Sequence, residues 1–469
     1  MDTTSHRPTR LRDLSAAFWW LWFAELVIWV GRFVVPFMTI FLTTEVGLSA
    51  GQAGLVLAAY GAGVVASSLT GGIVADRVGR KTTLIGSQLL SVVVLVIIPL
   101  AEGRLLISAL LAVYGLFNGA SQPAIVTMIG DLVEPRHRRT AFNYSYWAVN
   151  LGYGVGPMLA GFMADMDFGL LFYAQAALVL VSACIVALKV PETRTARKTE
   201  PFALGAADES ETPRGHRGVL GVLRDRVFMT FTVVMLLYSL VYVQSTTTLP
   251  LVMTEQGIPS RYYGYLLTLN GLLLCVLQLP TARFLARWSR EAIVVVAICL
   301  TAVGVGLQAA ASTLAMYLVT VFIWTLGEMG SHPQAQSISA DLAEHRRRGR
   351  YQGIYGMHHS LAMVIGPVLG GLVLDTLGAH VLWISSGIAA LGVALLLVLT
   401  ARERQSRIKV RTAAQTARRH TLDGRSRDAW THTAISPGTD ASQEGAGRHG
   451  HHSTTDSQGI VAAKHEPFA

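Results

Sequence analysis

Three ionisable side chains interrupt long apolar runs. Glu25 and Arg32 lie seven residues apart in "FWWLWFAELVIWVGRFVV", and Glu328 lies in "WTLGEMGSHPQ". Charges in such runs cost about 2.5–3.5 kcal/mol each on membrane-insertion scales and are functional candidates by default. A carboxyl in a low-dielectric cavity favours its neutral form and can take up a proton near neutral pH. A cation arriving beside it favours the charged form and expels that proton, which is the chemistry of exchange against protons. Glu328 is the first candidate to carry the proton, with Glu25 second and Arg32 beside it. At a spacing of seven, Glu25 and Arg32 share one face of a continuous helix, so a structural pair within that helix is the rival reading. For Glu328 the rival is a bond to a neighbouring helix or to His332.

The elements that must hold these groups are membrane spans. Of 469 residues, 52% are hydrophobic and 14% charged, with a mean hydropathy of +0.45. Soluble domains carry roughly 25% charge. Apolar runs of about twenty residues are long enough to cross a hydrocarbon core. The expected fold is an all-α membrane protein with twelve transmembrane helices, near 16–43, 52–75, 82–101, 104–130, 139–164, 168–189, 227–252, 262–286, 291–311, 313–340, 351–375 and 379–400. No cleavable signal peptide is visible.

With twelve spans, all Lys and Arg except Arg32, Arg104 and Arg261 fall on one side. That asymmetry places both termini in the cytoplasm of an inner (plasma) membrane protein. The net charge of +9 therefore follows from topology and calls for no nucleic acid. Cys184, Cys275 and Cys299 fall in spans as small packers. Walker A loops, metal-ligand spacings and G-x-S-x-G nucleophiles are absent from the sequence, so the reading is not an enzyme and needs no cofactor beyond a proton gradient.

The domains follow: a cytoplasmic tail over 1–15, a six-helix bundle over 16–190, a cytoplasmic linker over 191–225, a second bundle over 226–400 and a basic tail over 401–469, read as disordered. "RHGHH" at 448–452 reads as solvated tail. The bundles repeat. A shift of 210 residues lays 121–165 on 331–375 with thirteen identities in 45 positions, including Asp131/Asp341, Gly156/Gly366, Pro157/Pro367 and Asp165/Asp375. Composition alone gives about three. Two pseudo-symmetric bundles of the same direction imply a site near the midplane between them.

Between spans 2 and 3, "GGIVADRVGRKTT" (71–83) puts an acid, three bases and a glycine into one short connection. Gly79 permits a tight reversal. Asp76 can accept from amides at a helix N-terminus, while Arg77 and Arg80 can bond carboxylates or carbonyls at helix C-termini. Such a latch can close one end of the molecule; the rival reading is that the bases fix topology and Asp76 only caps a helix. Asp131 and Asp341, each followed by Glu and a basic cluster, read as matched gate positions or as solvated charge runs. Tyr146, Trp147, Tyr238, Tyr242, Trp324 and Tyr355 suit a cavity for a large apolar compound, or ordinary packing. His358 and His359 read as pH-sensing or packing groups.

These segments resemble the major facilitator superfamily. "GGIVADRVGRKTTL" is similar to its G-x-x-x-D-R-x-G-R-[KR] signature between spans 2 and 3. "GYGVGPMLAG" (152–161) resembles the span-5 signature G-x-x-x-G-P-x-x-G-G of its exporters, with Ala160 replacing one glycine. "SYWAVNLGYGVGP" (145–157) resembles the twelve-span drug/proton antiporter branch. The resemblance, over about 16–400, implies a cytoplasmic gate at Asp76, Arg77, Gly79 and Arg80, and a bent, closely packed span 5 at Gly152, Gly156, Pro157 and Gly161. A glycine-rich packing seam is compatible with the latter. Two features depart from the family. Gly115 stands where proton-coupled relatives carry an arginine in span 4, and Ala286 stands at the repeat position of Asp76, which implies a one-sided latch. The expected activity is proton-driven export of amphipathic small molecules by a monomer in the lipid bilayer. The alternatives are a proton-coupled importer of a sugar, peptide or organic acid, or a receptor-like protein that moves nothing.

Overall fold

The computed structural model describes residues 14–134, 136–192, 221–344 and 347–433. These are helical nearly throughout, with no strand among the described residues. In the first bundle, span 1 comes in two pieces, Ala16–Val30 and Val34–Thr44. Spans 2 to 6 are Ala50–Val78, Arg80–Ile97, Arg104–Leu132, Arg138–Met166 and Phe168–Lys189. In the second, span 7 is also divided, into Arg226–Thr247 and Leu249–Glu255. Spans 8 to 10 are Ser260–Leu285, Arg290–Leu307 and Leu314–Leu342. Spans 11 and 12 lie in the stretch Arg348–Thr433, broken at Gly378, where φ is +81°.

The helix ends obey the repeat to the residue. Moved by 210, the bounds of spans 3 and 4 fall on those of spans 9 and 10, and the short 3-10 turn Ile98–Leu100 falls on Gln308–Ala310. Caps set many starts: Ser15, Ser49, Asp167, Asp225, Ser289 and Thr313 each accept a bond from a first-turn amide. Each cap satisfies a donor that the helix cannot. Gly79 connects spans 2 and 3 at φ +113°, a conformation closed to most side chains, as its place in the sequence implied.

Nine helical stretches among the described residues are long and apolar enough to cross a membrane, the last covering 349–410. Spans 5 and 8 fall outside that set. Both are long helices, but they pack on each other between the bundles, so less of their surface has to satisfy lipid.

Two sequence expectations are corrected. Span 1 is broken at residues 31–33, so Arg32 stands in the gap and no single helical face joins it to Glu25. Gln175 of span 6 stabilises the gap: its Oε1 accepts from the amides of Phe33 at 3.1 Å and Val34 at 2.9 Å. The tail from 401 is also not uniformly disordered, because helix continues to Thr433. Its sequence is rich in Arg and Ala, good helix formers. Arg404 is fully buried there, its guanidinium bonded to Glu291 at 2.5 Å. The chain divides at this point into units 1–409 and 410–469. "RHGHH" lies outside the described residues.

Candidate functional site: two polar triads and the helices that cross around them

Glu328 sits in mid-span 10, half-buried. Its Oε1 accepts from the Tyr242 hydroxyl of span 7 at 2.8 Å, and its Oε2 from Asn270 Nδ2 of span 8 at 2.8 Å. The bond is therefore to neighbouring helices, and His332 is not among the recorded partners. Asn270 also donates to Thr325 at 3.0 Å, which fixes its orientation. His332 instead packs edge-on against Tyr242, its Nε2 buried without a partner.

The first bundle holds a matching cluster. Arg32 Nη2 donates to Asn118 Oδ1 at 3.4 Å, and Asn118 Nδ2 donates to the Tyr60 hydroxyl at 2.8 Å. The guanidinium lies 4.1 Å from the ring centroid of Trp29, a cation–π contact. Tyr153 of span 5 packs on the same Trp29, ring centroids 6.3 Å apart. Glu25 belongs elsewhere. Fully buried, it accepts from Ser145 Oγ at 2.6 Å and Gln122 Nε2 at 3.4 Å, and forms no ion pair with Arg32.

The aromatic candidates separate. Tyr242 touches Glu328, and Trp324 packs edge-on against Tyr242 with its Nε1 unpartnered. Tyr146 and Trp147 are both exposed. Tyr238 and Tyr355 are buried: Tyr238 is bonded to Ser331 at 2.9 Å, while Tyr355 stacks on Phe231. Aromatic rings have as much to gain from packing as from a ligand. His358 bonds the Tyr355 carbonyl in its own helix, and His359 is exposed.

Around the triads the bundles cross at two places related by the repeat. A Cβ on Gly264 of span 8 would strike the carbonyl of Pro157 in span 5, and one on Gly54 of span 2 would strike that of Pro367 in span 11. The crossings continue where a Cβ on Gly161 would lie 2.7 Å from Arg261 Cα, and one on Gly371 2.9 Å from Gly51 Cα. On its other side, span 5 lies on span 1: a Cβ on Gly152 would come 2.5 Å from that of Trp29, and Gly156 faces the Val30 carbonyl. The four signature positions of span 5 are thus contact points with two helices.

At the end opposite the basic loops, two aspartates tie the bundles together. Asp375 at the end of span 11 accepts from Ser49 Oγ at 2.7 Å and from the amides of Ala50 and Gly51 at 3.0 and 2.8 Å, the N-terminus of span 2. Asp165, its repeat counterpart, accepts from the amide and side chain of Arg261 at 3.3 and 2.9 Å, the N-terminus of span 8. Each carboxylate meets amides left unpaired by a helix start, at the positive end of its dipole. The sequence signal was available in the identity of 165 and 375, but not their partners.

At the basic end, Arg80 pairs with Asp131 and Arg290 with Asp341, each within its own bundle. The two pairs occupy the same positions of the repeat. The side chain of Asp76 lies outside the described residues, and Arg77 is exposed. The carboxylate recorded at the start of span 3 is Glu192, which accepts from the amides of Lys81 and Thr82 at 3.2 and 3.3 Å. Asp225 caps span 7 while bonded to Arg407 and, at 2.7 Å, to the Tyr351 hydroxyl. Burial works against its charge, but these bonds and the Phe228 amide hold its carboxyl below the usual range.

Known proteins agree with this architecture. The model of the Major Facilitator Superfamily matches twice, over residues 21–263 and 245–439. The uncharacterised MFS-type transporter YqjV of Bacillus subtilis is 26% identical over 369 residues, covering 77% of this chain and 88% of that one. The multidrug resistance protein MdtH of Aeromonas hydrophila is 23% identical over 359 residues, 76% of this chain and 87% of that one. Among solved structures, the nucleoside transporter NupG superposes with a TM-score of 0.70 at 10% identity, over 82% of this chain and 99% of that one. With the family model spanning both bundles and relatives aligned along most of their length, the chain belongs to the Major Facilitator Superfamily of multi-pass membrane transporters.

Proposed function

We propose that the chain is a proton-driven exporter of amphipathic small molecules, of the twelve-span drug/proton antiporter branch, working as a monomer with its basic end in the cytoplasm. The observation that carries this is Glu328, a half-buried carboxyl at mid-span held by two neutral donors and with no ion pair among the described residues. Such a group can exchange a proton for a positively charged part of a substrate. Alternating access then rocks one bundle against the other about the 2–11 and 5–8 crossings. The Asp165 and Asp375 bonds hold the outer end closed, and breaking them opens it. Support for export comes from the span-5 signature and from the multidrug name of one relative. One proton crossing about 100 mV supplies roughly 2.3 kcal/mol, about a fiftyfold gradient.

The test uses inverted membrane vesicles acidified by respiration, with a panel of toxic amphipathic compounds. Adding a transported compound releases lumenal protons, and Glu328→Gln reduces that release to background. Wild-type release by the variant removes Glu328 from the role. Expression that raises rather than lowers cellular accumulation of the same compound turns the reading to import.

A further inference from the structure

The two triads occupy the same three positions of the repeat and carry opposite charge. Arg32, Tyr60 and Asn118 fall, 210 residues on, at Tyr242, Asn270 and Glu328. The bonded pairs repeat as well: Arg32–Asn118 and Asn118–Tyr60 in one bundle, Tyr242–Glu328 and Asn270–Glu328 in the other. Only the site of the charge differs, a guanidinium on span 1 and a carboxylate on span 10. We infer that the two triads together select molecules carrying both an anionic and a cationic group, the anion directed to Arg32 and the cation to Glu328. This deepens the exporter reading and rests on it for the location of the substrate.

Neither charge has an ion-pair partner among the described residues. Arg32 has one recorded hydrogen bond, long and to a neutral amide, and its Nε is buried with no partner. Glu328 has two neutral donors, and neither residue forms an ion pair among the described residues. The acid nearest Arg32 in sequence, Glu25, is turned into the bundle and satisfied by Ser145 and Gln122. A partly buried charge without a counter-charge is costly, and a ligand supplying one recovers that cost. A molecule with only a cationic group serves Glu328 and leaves Arg32 facing an apolar body. Sites built around polar groups reject ligands that leave those groups unpaired far more strongly than they discriminate by size.

The flanking groups fit a flat spacer between the two ionic ends. Trp29 lies under Arg32, and Tyr242 and Trp324 lie beside Glu328. Tyr153 of span 5 packs against Trp29, their ring centroids 6.3 Å apart. His332 Nε2 and Trp324 Nε1 are two further polar atoms without a partner near the carboxylate. The charges sit on different bundles, so a ligand that meets both bridges the halves.

The experiment is equilibrium binding to the purified full-length protein, read by tryptophan quenching without a gradient. The probes are 4′-(aminomethyl)biphenyl-4-carboxylic acid, its methyl ester with only the amine charged, and its N-acetyl derivative with only the carboxylate charged. The zwitterion binds about tenfold or more tightly than either blocked form, a difference of about 1.4 kcal/mol. Arg32→Gln brings the zwitterion level with the ester, and Glu328→Gln brings it level with the N-acetyl form. If the ester matches the zwitterion on the unaltered protein, or if none of the three binds, the inference is overturned. The ligand series on the unaltered chain decides even where a variant fails to fold. A clear zwitterion preference without proton-coupled movement would refute the exporter reading alone. Coupled efflux of ester and zwitterion at equal rates would refute this inference alone.

Discussion

At the scale of single residues, three mid-membrane charges have three different surroundings. Glu328 touches two helices and stays half-open, Arg32 occupies a helix break, and Glu25 is sealed. The Glu25 site is not duplicated, since the repeat counterparts of Glu25, Gln122 and Ser145 are Met235, His332 and Tyr355. Glu25→Gln therefore retains proton-linked release in the vesicle assay, because an amide can still accept from Ser145; loss equal to that of Glu328→Gln would place Glu25 on the proton path. A second expectation concerns pH. Asp225 has a carboxyl held low in the folded protein, so its contribution is present above the unfolded value of about 4 and fades as pH falls through the folded one. Asp225→Asn lowers the melting temperature at pH 7 by a few degrees, and the gap to the unaltered protein narrows below about pH 4. A gap of constant size across that range would mean that the charge is not what matters. The charges themselves were legible in the sequence, because an ionisable letter in an apolar run stands out. Their partners were not: Tyr242 reaches Glu328 across 86 positions, and no spacing rule reaches that far.

At the scale of helices, twelve spans and their repeat were legible because a bilayer imposes long apolar runs and the duplication kept its register. The gap in span 1 was not. Its local cause lies just beyond "WVGRFVV": Pro36 cannot donate to the Arg32 carbonyl and its ring crowds it, while Gln175, from span 6, makes the freed amides tolerable. The span-5 signature was visible as small residues, but its contacts with spans 1 and 8 were not. They yield a sharp contrast. Gly264→Leu drives a side chain into the Pro157 carbonyl, costing about 1–3 kcal/mol or more from overpacking, and abolishes transport. Gly86→Ala, with nothing within 4 Å of the new methyl, leaves stability and transport intact. Thermal unfolding in detergent and vesicle transport measure both. Equal tolerance at the two sites would show that the 5–8 crossing is not tightly packed.

At the scale of the whole molecule, the bundles meet at two crossings and two aspartate-capped helix starts, all obeying one shift of 210 residues. If those caps open during each cycle, joining them covalently stops the cycle. In a background lacking Cys184, Cys275 and Cys299, the pair Ser49→Cys and Asp375→Cys is transport-silent when oxidised and active again after reduction. Undiminished transport by the fully cross-linked protein would rule out motion at that end. The stretch between the bundles ends at Glu192, seated on the start of span 3, and at Asp225, held by Arg407 and Tyr351. Each bundle thus secures its own loose end. A gene severed anywhere between codons 193 and 220 should accordingly yield two fragments that find one another when made in the same cell, restoring efflux that neither fragment provides alone.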